Sequence, residues 1–166
     1  MQQIKIARKR IVGQMTLLSA IGMDIFAQDF EVDEIYYIYN EGPSGSSVSV
    51  SGSNHFDDEY QVNLSIPKAV TYNGKTYYVT SIGDYAFMIC SSLTSVTIPN
   101  SVTTIGNSAF EGTAWYNNQP DGLVYAGKVA YKYKGTMPDN TKIALEDGTL
   151  GITSNAFRKC SALTFA

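Results

Sequence analysis

The chain has 166 residues, 44% hydrophobic and 16% charged, which suits one domain or one capped repeat stack and excludes disorder over most of its length. Fifteen acidic residues outnumber twelve basic ones. Phosphate backbones are met by clustered Lys and Arg, so nucleic acid is excluded as a partner.

Residues 1–27 read as a secretory signal peptide. Lys5, Arg8, Lys9 and Arg10 form a basic n-region, an apolar run from Ile11 to about Met23 follows, and Ala27 is the small residue near which cleavage is expected. The run is short and broken by polar residues, unlike a transmembrane helix, and no other segment is apolar enough to span a membrane. Cleavage leaves eight basic and fourteen acidic residues, a net charge of −6. The mature chain is expected to be secreted, periplasmic or on the cell surface, with no transmembrane segment.

Residues 28–59 are expected to form an extended N-terminal β cap, with Tyr36, Tyr37 and Tyr39 shielding the end of a repeat core. His55 is the only histidine, so a Ser-His-Asp or Cys-His arrangement would have to run through it. It sits in a polar loop with no nucleophile in a strained elbow nearby. Asp57, Asp58 and Glu59 lack the alternating oxygen ligands and Gly of a calcium loop. No Gly-rich loop opens a long helix. No catalytic residue, cofactor or metal site is assigned, and the chain is not expected to be an enzyme.

From residue 60 to 166 the chain repeats itself. Ile82-Gly83-Asp84-Tyr85-Ala86-Phe87 aligns without gaps with Ile105-Gly106-Asn107-Ser108-Ala109-Phe110, 23 residues later, and with Ile152-Thr153-Ser154-Asn155-Ala156-Phe157, 47 residues beyond that. Cys90 and Cys160 each lie three residues past their Phe, with Leu93 and Leu163 three further on; Thr113 takes the Cys place between them. Residues at a fixed phase in successive coils stack on one another. The expected core is therefore Ile82, Ala86, Phe87, Cys90, Leu93, Val96, Ile98, Ile105, Ala109, Phe110, Ile143, Leu145, Ile152, Ala156, Phe157, Cys160 and Leu163. Asp84, Asn107 and Ser154 share a column, where they are expected to cap a short helical turn. The fold class predicted is a mainly β solenoid of 23-residue coils, each with short strands and a helical turn.

Two hairpins interrupt the period. From Pro67 to Ile82 is 15 residues, against 6 from Pro99 to Ile105; a hairpin near 71–79, turning at Asn73-Gly74, accounts for the excess. A second hairpin near 122–134, around Gly127, either replaces one coil or is inserted into one; replacement keeps the coils in phase. Trp115 and Tyr116 precede it, and Tyr125, Tyr131 and Tyr133 lie on it. These five aromatics are the candidate partner-binding residues, the alternative being that they pack the hairpin onto the repeats. Lys128, Lys132 and Lys134 read as a solvated strand face. Cys90 and Cys160, about three coils or roughly 14 Å apart, are expected to form no disulfide, whose Cα atoms must lie within about 7 Å, and to be largely buried.

Leu93-Thr94-Ser95-Val96-Thr97-Ile98-Pro99, continuing to Ile105-Gly106 and Ala109-Phe110, resembles the BspA-like (Treponema-type) leucine-rich repeat family. Thr113, Thr153 and Glu146 depart from the family's Cys, Gly and Pro. The resemblance implies a bacterial surface or secreted protein that contacts host or extracellular surfaces, with a protein or a glycan as partner. A carbohydrate-binding module built on the aromatics and a repeat protein with only a structural role are the alternatives. The chain ends at Leu163-Thr164-Phe165-Ala166, where the next strand is due, so self-association through an uncapped last coil is a further expectation.

Overall fold

A computed structural model describes residues 29–52 and 63–163; the expected signal and the His55 loop lie outside them. The described residues form short strands: β1 (Phe30–Val32), β2 (Ile35–Tyr39), β3 (Ser47–Ser51), β4 (Asn63–Ser65), β5 (Ala69–Tyr72), β6 (Lys75–Ile82), β7 (Ser95–Thr97) and β8 (Thr104–Ile105). A four-residue helix, α1 (Ala114–Asn117), follows, then β9 (Gly122–Ala126), β10 (Val129–Lys134) and β11 (Gly151–Ile152).

Side chains alternate across a strand, so β2 buries Ile35 and Tyr37 while β3 buries Val48 and Val50. Six strands form one sheet, in the order β1-β2-β3-β6-β5 with β8 also beside β6. Its ends curl towards each other: Phe30 of β1 stacks on Tyr72 of β5, ring centres 4.4 Å apart, and Tyr37, Tyr39 and Tyr77 close around it. A uniform solenoid is therefore corrected at this end to a nearly closed sheet. The physical cause is the β5–β6 hairpin, which folds Tyr72 and Tyr77 back over Phe30. Asn73 and Gly74 have φ of 48° and 78°, the two left-handed positions of a type I′ turn.

Downstream, the repeat spacing takes the form of hydrogen bonds. Ile82 pairs with Ile105, Leu64 with Val96 and Ala130 with Ile152, all in parallel. Thr103 N–H donates to Thr80 O (3.0 Å) and Gly106 N–H to Ile82 O (2.8 Å). The same rungs recur later, where Leu150 N–H donates to Lys128 O (2.8 Å) and Thr153 N–H to Ala130 O (3.0 Å). Tyr133 N–H reaches Ala156 O (2.7 Å) as Phe87 N–H reaches Ala109 O (2.8 Å). The β9–β10 hairpin thus makes the bonds of the coil that would precede Ile152.

The segment carrying Ala-Phe is a run of turns, not a helical turn. Tyr85, Ile89, Ser108, Gly112 and Lys159 all have φ between 50° and 80°, which turns alternate N–H groups sideways. Tyr85, Phe87 and Ile89 donate to Asn107, Ala109 and Glu111 of the neighbouring coil, at 2.7–2.9 Å. The expected caps are corrected accordingly. Asp84 Oδ1 accepts from Asn107 N–H (2.6 Å) one coil away, and Asn107 Oδ1 accepts from Ser154 Oγ and Asn155 Nδ2. The polar column is a ladder between coils.

Phe87 and Phe110 stack at 5.4 Å over Ala86, Leu93, Ile82, Ile105 and Ala109, and all seven are buried, as is Ala156. Val96, Ile98, Ile143, Phe157 and Leu163 are half-buried. Two expected core residues are corrected: Leu145 is 43% exposed and Ile152 is 51% exposed. Residues 143–145 form no strand, and β11 is an outer strand of its three-stranded sheet. No disulfide joins Cys90 and Cys160, which are half-buried, not largely buried.

A β-branched residue in the left-handed region is strained, and Ile89 at φ 66° is also 62% exposed. Asn tolerates that conformation, so Ile89→Asn is expected to stabilise the chain by about 0.5–1 kcal/mol. Gly106→Ala, whose Cβ would collide with the Asp84 backbone, is expected to destabilise it. Thermal unfolding midpoints check both.

Candidate functional site

Thr113 stands where the neighbouring coils carry Cys. Its buried hydroxyl donates to Phe110 O (2.8 Å) and accepts from Tyr116 N–H (3.0 Å), capping α1. The cap starts a helix where the coil would otherwise run on, and so places Trp115 and Tyr116 against Phe110 and β10. Trp115 meets the Phe110 ring edge-on at 4.9 Å. Tyr131 takes the place of the next Phe: its ring lies edge-on to Phe110 (5.6 Å) and to Tyr116 (5.8 Å). Its hydroxyl accepts from Phe110 N–H (3.1 Å).

Between β10 and the turns of two coils lies a cleft of about 530 Å³. Tyr116, Tyr131 and Tyr133 contribute its aromatic surface, and Lys132, Lys134, Arg158 and Lys159 its cations. Lys132 Nζ lies 3.0 Å from Glu111 Oε2, which also accepts from Ser108 Oγ (2.8 Å). These two bonds hold the Glu111 carboxyl below its ordinary range. Lys134 Nζ donates to the carbonyls of Asn117 and Gln119, and both lysine heads lie 5.8–5.9 Å from the centre of the Tyr116 ring. Burial pushes the Tyr131 phenol up to about 12 and raises the Tyr116 phenol and the Cys160 thiol.

The five candidate aromatics do not form one exposed face. Tyr116 and Tyr131 are buried, the arrangement of the alternative in which they pack the hairpin onto the repeats: Tyr131 falls at a bulge in β10 and turns into the core. Trp115 is half-buried against Phe110. Tyr125 lies off the cleft, its hydroxyl 3.1 Å from Thr149 Oγ1 and accepting from Glu146 N–H (2.9 Å). Tyr133 alone is both in the cleft and half-exposed. Arg158, Lys159 and Asn155 escaped the sequence reading, although the column holding Glu111 and Arg158 signals a change of charge between coils. Among the described residues no cluster of His, Cys, Asp and Glu is placed to hold a metal ion, and no helix is long and apolar enough to cross a membrane.

The family described as BspA type Leucine rich repeat region matches residues 52–165 in six copies. The chain belongs to this family. Two solved leucine-rich structures are similar to this BspA-type chain. One is a leucine rich cell surface protein from Faecalibacterium prausnitzii A2-165, at 15% identity and a TM-score of 0.31, covering 83% of this chain and 54% of that one. The other is a leucine-rich repeat protein from Bacteroides ovatus ATCC 8483, at 23% identity and a TM-score of 0.33, covering 81% and 40%. The BspA-type chain spans about half the length of the first and two fifths of the second. No curated protein matches it.

Glu111 and Tyr131 make opposite pH predictions. The depressed Glu111 stabilises the fold above its ordinary value of 4.5, and the contribution is lost as pH falls through its lower folded value. Glu111→Gln is therefore expected to unfold at lower urea than the parent at pH 7 and to converge with it in acid. Tyr131, raised from 10.0 to about 12, stabilises below pH 10 and loses that contribution as pH climbs towards 12. Tyr131→Phe is expected to cost about 1 kcal/mol at pH 7, by leaving Phe110 N–H without its acceptor, and to flatten the alkaline limb. Urea midpoints measured across pH check both.

Proposed function

We propose that this chain is a secreted or cell-surface binding protein that attaches to an extracellular surface, its repeats acting as a rigid solenoid-like scaffold without catalytic activity. Residues 1–27 are read as the signal removed on export, and residues 28–59 as the cap of the repeat core. Membership of the BspA-type family supports this reading, because stacked repeats present an extended surface suited to contact. The cleft carries it: an open site with a half-exposed aromatic and several cations suits recognition. The one hydroxyl–carboxylate pair in its lining, Ser108 and Glu111, has its carboxylate matched by Lys132 and held below its ordinary range, which makes it a weak base for hydrolysis. A carbohydrate-binding role is favoured over a protein-only role by Tyr133, which shares the cleft lining with the amide of Asn155 and the hydroxyls of Ser108 and Thr153.

The test is retention of the purified chain on arrays of extracellular-matrix proteins and glycans, beside Tyr133→Ala. Retention that drops at least about tenfold in the variant is expected, the loss of an interfacial aromatic anchor. An array with no retained ligand, or one on which Tyr133→Ala binds equally well, would count against the proposal.

A further inference from the structure

We infer that the cleft binds a saccharide carrying a carboxylate or a sulfate. The inference rests on the surface-binding reading and names the ligand's chemistry. Four of the chain's twelve Lys and Arg residues line this one site, facing a single carboxylate, in a protein whose formal net charge is −3. That carboxylate, Glu111, is already matched by Lys132 at 3.0 Å. Lys134 is held by two carbonyls. Arg158 and Lys159 remain. The Arg158 side chain has no hydrogen bond or ion pair with any described residue, and Lys159 acts on Glu111 only through space. Both are exposed. A guanidinium with its fork unused, next to an ammonium, is the donor set for a carboxylate or sulfate.

The rest of the lining separates a sugar from a polypeptide. No Leu, Ile, Val, Met or Phe lines the cleft, so it lacks the apolar pocket that anchors a protein partner. Along the stretch of β10 that lines the cleft, Tyr133 N–H already donates to Ala156 O (2.7 Å) and Tyr131 O accepts from Thr153 Oγ1. An added peptide strand therefore finds these ladder groups taken. What the cleft offers is a tyrosine ring, the amide nitrogen of Asn107 and the amide oxygen of Asn155, the two free cations, and the acceptor lone pairs of the Ser108 and Thr153 hydroxyls, whose protons go to Glu111 and to Tyr131 O. Sugar rings stack their C–H faces on aromatic surfaces, and their hydroxyls pair with amides and hydroxyls. The volume, about 530 Å³, falls within the range of about 300–1,000 Å³ of small-ligand sites.

Isothermal titration of the full chain with trigalacturonate, a heparin-derived tetrasaccharide, neutral galactotriose and polyglutamate tests the inference. Binding of at least one acidic sugar is expected, weakening with added salt. The double variant Arg158→Gln/Lys159→Asn is expected to bind it at least about tenfold more weakly with an unchanged unfolding midpoint, since Asn keeps the left-handed conformation of residue 159. The two acidic sugars distinguish carboxylate from sulfate as the preferred group. Equal binding of galactotriose, undiminished binding by the double variant, or polyglutamate binding as tightly as the sugars overturns the inference. So does the absence of binding by either acidic sugar; a ligand retained on the array of matrix proteins and glycans would then leave the surface-binding reading standing, whereas an empty array would sink that as well.

Discussion

A chain with one four-residue helix among its described residues cannot satisfy its backbone locally. Its buried N–H and C=O groups must find partners in turns, on a neighbouring strand or on a neighbouring coil, and an unmet one costs about 1–3 kcal/mol. This lateral pairing is the constraint on which the molecule depends. It sets the period, because Ile82 and Ile105 can be partners only if each coil returns to the same height. It also sets the conformation of the turns. Tyr85, Ile89, Ser108 and Gly112 adopt left-handed φ values, and at Tyr85 and Ile89 the N–H groups of this run reach the next coil. Right-handed helical geometry would have directed them along the chain.

The same constraint explains how the fold survives its irregular stretch. Between Phe110 and Ile152 the repeat pattern lapses, yet the coil of Ile152 still needs donors and acceptors beside it. β10 provides them through Lys128, Ala130 and Tyr133. Tyr131 completes the substitution on the side-chain level: its ring continues the line of Phe87 and Phe110, and its hydroxyl answers the Phe110 N–H that the missing coil would have bonded. A phenylalanine would fill the space but leave that N–H orphaned. The bulge in β10 is what turns Tyr131 inward, and the cleft opens beside it.

Much of the scaffold was legible in the sequence because it is periodic. The columns of Ile, Ala and Phe locate the buried stack, and Asn73-Gly74 locates a turn whose geometry admits few other residues. What was illegible depends on direction. The column of Asp84, Asn107 and Ser154 reads equally well as helix caps or as an inter-coil ladder, since both use a short polar side chain accepting an N–H. Leu145 and Ile152 fit the apolar columns but end up exposed, because a column predicts a phase and not whether a neighbour covers it. Tyr131 and Tyr133 were candidates of the same kind on the hairpin, and the bulge between Ala130 and Lys132, which sends Tyr131 into the core, has no signal in the sequence. Tyr133 was legible as a candidate contact; Arg158 and Lys159 were not, because their part in the cleft arises from a juxtaposition with β10, 24 to 30 positions away in the chain.

The turn run separates scaffold from surface within a single coil. In each coil the Ala and Phe of the x-Ala-Phe-x-x stretch point inward, while the two following positions are Met88 and Ile89, Glu111 and Gly112, then Arg158 and Lys159. Packing demands little of these outward positions beyond tolerance of the left-handed conformation at the second, and their chemistry runs from apolar to acidic to basic. Burial cannot account for that variety: Ile89, Glu111, Arg158 and Lys159 are all exposed. Recognition would be written at such places, on loops held by a rigid frame. Here the frame brings one pair, Arg158 and Lys159, into the same cleft as the half-exposed Tyr133, which lies on a strand that itself replaces a coil. The departure from strict repetition is therefore what makes the cleft: a regular coil at that place would have supplied one more Ala-Phe turn and no concave surface.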